Sequence, residues 1–365
     1  MKRVALALLL FLPLQRFATA AEWPVQNDSA ASRKVGVLPL PAFGYSPETR
    51  WYAGAVVLLT ARLHQDTLTR TSNFKVEANY TQNKQLILSS EWNVFSKGDR
   101  LFFSGEAAYL DFPENFYGIG NSTTEEMEEN YDSKRIEFNA MLLRRLPRYW
   151  YIGPRYQLQH IYEVKPTPEG MLNSGAIPGS GGGTSSGAGA AIAFDNRKNI
   201  LNPQQGAYAL LAATSFHKAF GSDFRFTRFE LDLRKYFPLP WRHLLAVQGY
   251  GVFNSGKTPF RMMGLLGSDS DMRGYYRGRY RDRQYMALQA EYRFPIFWRI
   301  GGTAFGGAGD VAPKLRSFEL REFKPSYGLG LRFLIDRQEN INLRFDYALG
   351  RSGASGFYVS FGEAF

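Results

Sequence analysis

Four histidines, His64, His160, His217 and His243, are the imidazoles available for proton transfer or metal binding, and none sits at a zinc-binding spacing. No Gly-x-Ser-x-Gly elbow accompanies them, so a Ser/His/Asp triad would have to assemble across distant strands. Cysteine is absent, which removes disulfides, thiolate metal sites and thiol nucleophiles. Gly179-Ser180-Gly181-Gly182-Gly183 has the glycine density of a phosphate loop. It lacks the Lys-Ser/Thr ending and precedes a strand-like segment, which makes it a flexible loop. Glu125-Glu126-Met127-Glu128-Glu129 concentrates carboxylates without the alternate-position spacing of a calcium loop, so it reads as a solvated acidic loop. No catalytic, metal or cofactor-binding residue is expected, and the chain is not expected to be an enzyme.

Functional side chains concentrate instead in residues 271–282, where Arg273, Tyr275, Tyr276, Arg277, Arg279, Tyr280 and Arg281 surround Gly274 and Gly278. The stretch is too polar for a strand, yet its flanks, residues 244–253 and 286–294, have the pattern of strands facing lipid. In a membrane barrel such a loop folds back into a polar lumen, where a guanidinium pairs with carboxylates on the wall.

The elements that would hold it are strands. Residues 1–20 read as a secretory signal: Lys2 and Arg3, an apolar run, then Ala18-Thr19-Ala20. Residues 21–34 are a short polar lead. Residues 35–365 contain about sixteen apolar-alternating segments separated by Gly, Pro, Asn and Asp, the even number expected of a bacterial barrel. Phe229, Leu231 and Leu233 alternate with Glu230 and Asp232. Leu343, Phe345 and Tyr347 alternate with Arg344 and Asp346, and Leu288, Ala290 and Tyr292 with Gln289, Glu291 and Arg293. One face meets lipid and the other a charged, watery lumen, an arrangement a dry-cored sandwich does not tolerate. Short turns at residues 97–99, 146–148, 238–240 and 337–339 alternate with long loops at 112–132, 163–186, 255–283 and 309–324. The expected fold is an all-β, antiparallel transmembrane β-barrel of the bacterial outer membrane. Twenty-nine Phe, 21 Tyr and 36 Gly at modest mean hydropathy agree with it.

At these residues a resemblance arises. Met272-Arg273-Gly274-Tyr275 resembles the Val/Ile-Arg-Gly-Phe/Tyr signature that the BamA/TamA-type bacterial surface antigen family carries into its barrel on the sixth extracellular loop. Asp195-Asn196-Arg197 with Pro203 and Gly206 is similar to the family's Asp-x-Arg…Pro-x-x-Gly periplasmic turn, and Phe116-Tyr117-Gly118-Ile119-Gly120-Asn121 to its Phe-Gly-Ile-Gly-Asn segment. Phe357, Val359, Phe361 and Phe365, read as one face, resemble the C-terminal aromatic signal for outer-membrane assembly. The resemblance covers the barrel; residues 21–34 leave no room for the family's POTRA domains.

The resemblance implies that Arg273 meets carboxylates on the two following strands. Glu291 matches the first. At the second, Phe305-Gly306-Gly307-Ala308-Gly309 puts Gly307 where the family has Asp, leaving Asp310 as the expected substitute, and whether the loop then plugs the lumen stays open. It also implies a weak seam between the first and last strands, to which Pro39, Pro41, Gly356 and Gly362 would contribute. The expected function is aiding insertion or export of proteins or lipids through that seam; a passive pore and a surface adhesin or structural barrel are the alternatives. Expected partners are outer-membrane lipid and lipopolysaccharide, the barrel assembly machinery during biogenesis, and client proteins. A charge of +11 suits anionic head groups as well as solvated turns. Nucleic acid is excluded for an exported chain without a basic helix or RNA-binding motif.

Overall fold

The computed structural model describes residues 35–365 apart from Gln65, Thr67, Leu68, Gln338 and Glu339. The expected signal (1–20) and lead (21–34) lie outside the described residues, as does part of the short turn at 337–339. The strands are β1 (Val35–Ser46), β2 (Arg50–Ala61), β3 (Ser72–Thr81), β4 (Leu86–Phe95), β5 (Leu101–Asp111), β6 (Glu114–Phe116), β7 (Glu129–Arg145), β8 (Trp150–Pro166), β9 (Gly183–Asp195) and β10 (Gly206–Phe216). They continue as β11 (Phe226–Leu239), β12 (His243–Gly256), β13 (Gly264–Leu266), β14 (Tyr280–Asp282), β15 (Gln284–Phe297), β16 (Ile300–Ala312), β17 (Lys324–Asp336), β18 (Ile341–Leu349) and β19 (Ser355–Phe361).

Sixteen of these pair antiparallel with their chain neighbours, and β19 meets β1 to close the wall. Closure pairs the edges that an apolar bilayer would otherwise leave bare, except along residues 35–42 of β1. The short strands β6, β13 and β14 decorate the long-loop end. At the other end, Arg148 and Tyr149 (φ 60° and 67°) and Trp241 and Arg242 (φ 55° and 65°) complete three-residue turns that begin at Pro147 and Pro240. Paired left-handed residues there match the twist of the strands they join.

The alternation read from the sequence is the alternation of the wall. On β15, Leu288 is 62% exposed on the outer face while Glu291 is fully buried inside. On β17 and β18, Leu329, Leu331 and Tyr347 point out while Arg332, Arg344 and Asp346 point in and are buried.

The wall is uneven at one place. β1 is registered with β2 along its whole length, from Val35↔Ala61 to Ser46↔Arg50. Its register with β19 consists of Tyr45↔Val359. The last strand ends at Phe361, because Gly362 adopts φ +82° and turns the chain out of the sheet. Residues 35–42 of β1 thus extend past the end of β19. The turn also revises the expected aromatic face: Phe357, Val359 and Phe361 share β19, but Phe365 swings into the lumen and packs with Tyr236, Leu244 and Ala246. A left-handed residue ends strand alternation, so positions on either side of Gly362 share no face.

Backbone groups without a ladder partner exchange with solvent from low-energy openings. Hydrogen-exchange mass spectrometry on the detergent-solubilised barrel is expected to show peptides spanning residues 35–42 exchanging well before those of β11 and β12. Equal protection would mean that β1 has another partner.

Candidate functional site

The loop between β12 and β15 enters the barrel as the β13–β14 hairpin, and its tip descends to the inner wall. The descent depends on Met272 (φ 51°), Gly274 (φ 103°) and Gly278 (φ 78°). A Cβ at Gly274 would lie 3.0 Å from the Leu349 carbonyl carbon, so glycine is required there by both conformation and space.

Arg273, 1% exposed, is the endpoint of that descent. Its Nη2 donates to Glu291 Oε2 at 2.7 Å and its Nη1 to Asp346 Oδ2 at 2.5 Å, and its guanidinium lies 3.5 Å from the Phe305 ring centre. The neighbouring backbone is pinned as well. The Ser326 hydroxyl donates to the Arg273 carbonyl, and the Gly274 amide donates to the Tyr358 hydroxyl at 2.8 Å. Tyr275 donates to the Pro325 carbonyl at 2.7 Å and accepts from the Arg351 amide at 2.6 Å. Met272 packs with Val252, Leu266, Tyr285 and Val311.

Of the two expected partners, the structure brings Glu291 to Arg273 and not Asp310. Asp310 pairs with Lys324 Nζ at 2.6 Å. Glu291 stands opposite Phe305, and Asp310 lies five residues further along β16, roughly 16 Å away at about 3.3 Å per residue. Nor does Gly307 leave room for the missing carboxylate, since a Cβ there would fall 2.7 Å from the Leu288 carbonyl oxygen. Asp346, one strand past β17, supplies it instead. The inward register of Arg344 and Asp346 was the signal that could have found it.

Around this pair lies a balanced network. Arg293 Nε reaches Glu291 at 2.7 Å, and Arg332 reaches Asp346 at 2.6 Å and Glu363 at 2.9 Å. Arg344 reaches Asp269, on the loop itself, at 2.8 Å. Four guanidiniums meet four carboxylates from β15, β17, β18, the C-terminal tail and the loop. Because these groups are out of bulk water, removing one leaves its partner buried and unpaired, which costs more than the pair contributes.

The other resembling segments fall at the two ends of the lumen. Phe116–Asn121 lies against the loop: the Gly120 amide donates to the Arg281 carbonyl at 2.8 Å, and Arg279 donates to the Thr123 carbonyl at 3.0 Å. At the short-turn end, Asp195 accepts from Arg197 Nε at 2.9 Å, Pro203 is buried in the turn, and Gly206 (φ +106°) begins β10. Sequence reading missed Arg70, which crosses the lumen to reach Asp195 at 2.6 Å and Asp99 at 2.8 Å while lying 4.3 Å from the Phe95 ring centre. Its neighbours are brought together only by barrel closure.

The histidines stay apart: His160 pairs with Thr184, His217 accepts from the Ala219 amide, and His243 meets Tyr292. Among the described residues no three His, Cys, Asp or Glu side chains are grouped to hold a metal. The loop tip instead divides the lumen into cavities of about 700 and 540 Å³, both lined by Ser268, Asp269, Ser270 and Arg277.

Two outcomes follow from the charges. Arg273→Ala is expected to destabilise the barrel by about 3–5 kcal/mol, and Asp346→Asn by a similar amount, in urea unfolding followed by heat-modifiable electrophoretic mobility. Asp310→Asn should leave the Arg273 contacts unchanged, since it strands Lys324 instead. In the outer loop after β5, burial raises the pKa of Glu114, but Arg135, Arg261 and the Tyr131 hydroxyl outweigh it and hold the carboxyl down to about 2. Folding therefore favours its ionised form. The stability it contributes is present above pH 4.5 and is lost as the pH falls toward 2. Limited proteolysis of residues 112–128 should accelerate across that window in the wild type and show no such pH step in Glu114→Gln.

The sequence profile of the Omp85 superfamily domain matches residues 59–365. No curated protein matches the sequence. Among solved structures, BamA from Haemophilus ducreyi lacking POTRA domains 1-3 aligns over 91% of this chain and 70% of its own, with a TM-score of 0.56 and 14% identity. CdiB from Acinetobacter baumannii aligns over 90% of this chain and 60% of its own (TM-score 0.59, 13% identity). CdiB from Escherichia coli aligns over 92% and 63% (TM-score 0.59, 10% identity). This chain thus spans less than two thirds of either CdiB chain, and at these identities the likeness is one of fold. With a closed barrel, an interior sixth loop and a profile match over most of its length, the chain belongs to the Omp85 superfamily of outer-membrane β-barrels.

Proposed function

We propose that this barrel aids the insertion or export of a protein or lipid through the seam between β1 and β19. The observation that carries the reading is the length of β1, residues 35–42, that extends past the end of β19. Pro39 and Pro41 on that stretch cannot donate to a ladder. The two sides of the seam also differ in stiffness. β19 is tied to the sixth loop through Tyr358 and to β18 along its length, whereas β1 is held by β2. An unpaired strand edge offers an incoming extended chain a ladder to complete.

In this reading residues 1–20 are the export signal, residues 21–34 a lead and residues 35–365 the functional unit, with no catalytic step and no cofactor. The assembly machinery would engage the chain during biogenesis through Phe357, Val359, Phe361 and Phe365, and lipopolysaccharide would meet its outer face. A passive pore is the second reading, favoured by the two lumen cavities. The sixth loop weighs against it, since it stands between them and is anchored at Arg273.

Because the chain has no cysteine, the seam can be stapled cleanly. Tyr45 and Val359 are register partners, within disulfide reach. Val37 has no such partner, because the same register carried down to it runs past the end of β19 at Phe361. An unrelated outer-membrane barrel added unfolded to liposomes should fold severalfold faster when this protein is present. The Tyr45→Cys/Val359→Cys variant should lose that effect when oxidised and recover it with reductant. Absence of acceleration by the wild type would remove this reading and make planar-bilayer conductance the deciding measurement for the pore.

A further inference from the structure

Beneath the outer loops, away from Arg273, lies a second charge cluster with a different balance. Arg135 on β7 and Arg261 in the sixth loop both reach Glu114 Oε2, at 2.8 and 2.5 Å, and the Tyr131 hydroxyl donates to the same oxygen at 2.6 Å. Arg281 lies within electrostatic reach of Glu114, Tyr131 and Arg261. It is fully buried between Phe116 and Phe260, and its hydrogen bonds go to the Gly278 carbonyl. Glu137 touches the edge of the group, 3.3 Å from Arg135. Three guanidiniums, all more than nine-tenths buried, thus share one fully engaged carboxylate and the margin of another.

Two of the three keep an N–H that no group in the cluster answers, Nε of Arg261 and Nη1 of Arg281, while Nε of Arg135 makes no hydrogen bond but faces Glu137 Oε1 at 3.3 Å. Buried donors, and buried positive charge above all, are costly unless something accepts from them. Arg135 lines the larger lumen cavity and Arg261 the smaller, so the cluster is reached from the lumen through these two side chains, Arg281 lining neither cavity. The network around Arg273 also keeps N–H groups without hydrogen-bond partners, on Arg273, Arg293 and Arg344, but there four guanidiniums meet four carboxylates, so it is the excess positive charge that sets the Glu114 cluster apart.

We propose that this arginine cluster binds a phosphate-class oxyanion, which accepts from the free N–H groups of Arg261 and Arg281 and neutralises the cluster's excess charge. A polyvalent oxyanion suits the cluster better than chloride because it offers several acceptor oxygens to divergent guanidinium edges. Bound there, it bridges β7 and the sixth loop and tightens the cover over the lumen. The ligand is either free phosphate or the phosphate of a lipid head group reaching in from the cavity. The proposal is independent of the seam reading and is tested without any folding client.

The experiment is calorimetric titration of the full chain in non-ionic detergent, with inorganic phosphate in one arm and a short-chain phosphatidic acid in the other. Sodium chloride at equal ionic strength is the control. Wild-type protein should bind at least one of the two phosphate probes and not chloride. Binding in the first arm alone identifies free phosphate, and in the second alone a lipid phosphate. Arg281→Gln should weaken binding by about tenfold or more, with heat-modifiable mobility confirming that the barrel is folded. Glu114→Gln removes the carboxylate that competes for the same guanidiniums and should tighten binding by about tenfold. Should Arg281→Gln fail to fold, Glu114→Gln decides alone. Binding of neither phosphate probe, or an affinity indifferent to both substitutions, overturns the assignment.

Discussion

A guanidinium removed from bulk water has to be met by carboxylates, and in this barrel that demand is concentrated at Arg273. Glu291 and Asp346 approach it from strands on either side of β17, and Phe305 lies against its face, so the loop carrying it is held by charge, by stacking and by the adjacent backbone at once. Arg293, Arg332, Arg344, Asp269 and Glu363 extend the same demand outward, because each carboxylate drawn to Arg273 needs further donors for its remaining oxygens. The C-terminal tail is drawn in as well: Glu363 enters the network after the turn at Gly362, and Phe365 follows into an apolar recess. One buried charge thus organises five of the sixteen wall strands, the plug inside them and the end of the chain.

The consequence is asymmetry. From β15 to β19 the wall is cross-braced through the lumen, whereas β1 has its ladder with β2 and a short meeting with β19. Closing a barrel normally spreads stability evenly along its seams, since each strand completes its neighbours' hydrogen bonds. Here the tail leaves the wall early and joins the lumen network, and the strand opposite loses the partner it would have had. Bracing on one side and an open edge on the other have the same origin.

The lumen itself is neither a clear channel nor a dry core. The sixth loop separates two cavities, the outer loops cover it from above, and Arg70 crosses it near the short-turn end. Charges on the inner wall solve different problems at different heights. Near Arg273 they neutralise one another, near Arg70 they hold turns together, and around Glu114 the guanidiniums outnumber the carboxylates.

Local regularities of the chain determined the barrel. Strand alternation depends on residues two apart, turns on left-handed or proline-bearing positions, and the descent of the sixth loop on Arg-Gly beside aromatics, so the strand number, the lipid-facing side and the interior loop were legible from sequence, while the pairing of Arg273 with Glu291 came from the family resemblance. Distance between residues far apart in the chain was not legible. Asp310 is nearer than Asp346 to Arg273 in sequence, yet barrel curvature and strand stagger bring Asp346 to the guanidinium and hand Asp310 to Lys324. Arg70 and Asp195, 125 residues apart, meet for the same reason. Phe365 lost its expected face to one left-handed glycine, and the single-pair seam depends on where that turn ends β19. Composition and periodicity determine which face a residue takes, while closure of the wall decides what stands opposite it, because a cross-lumen contact has no footprint in local sequence.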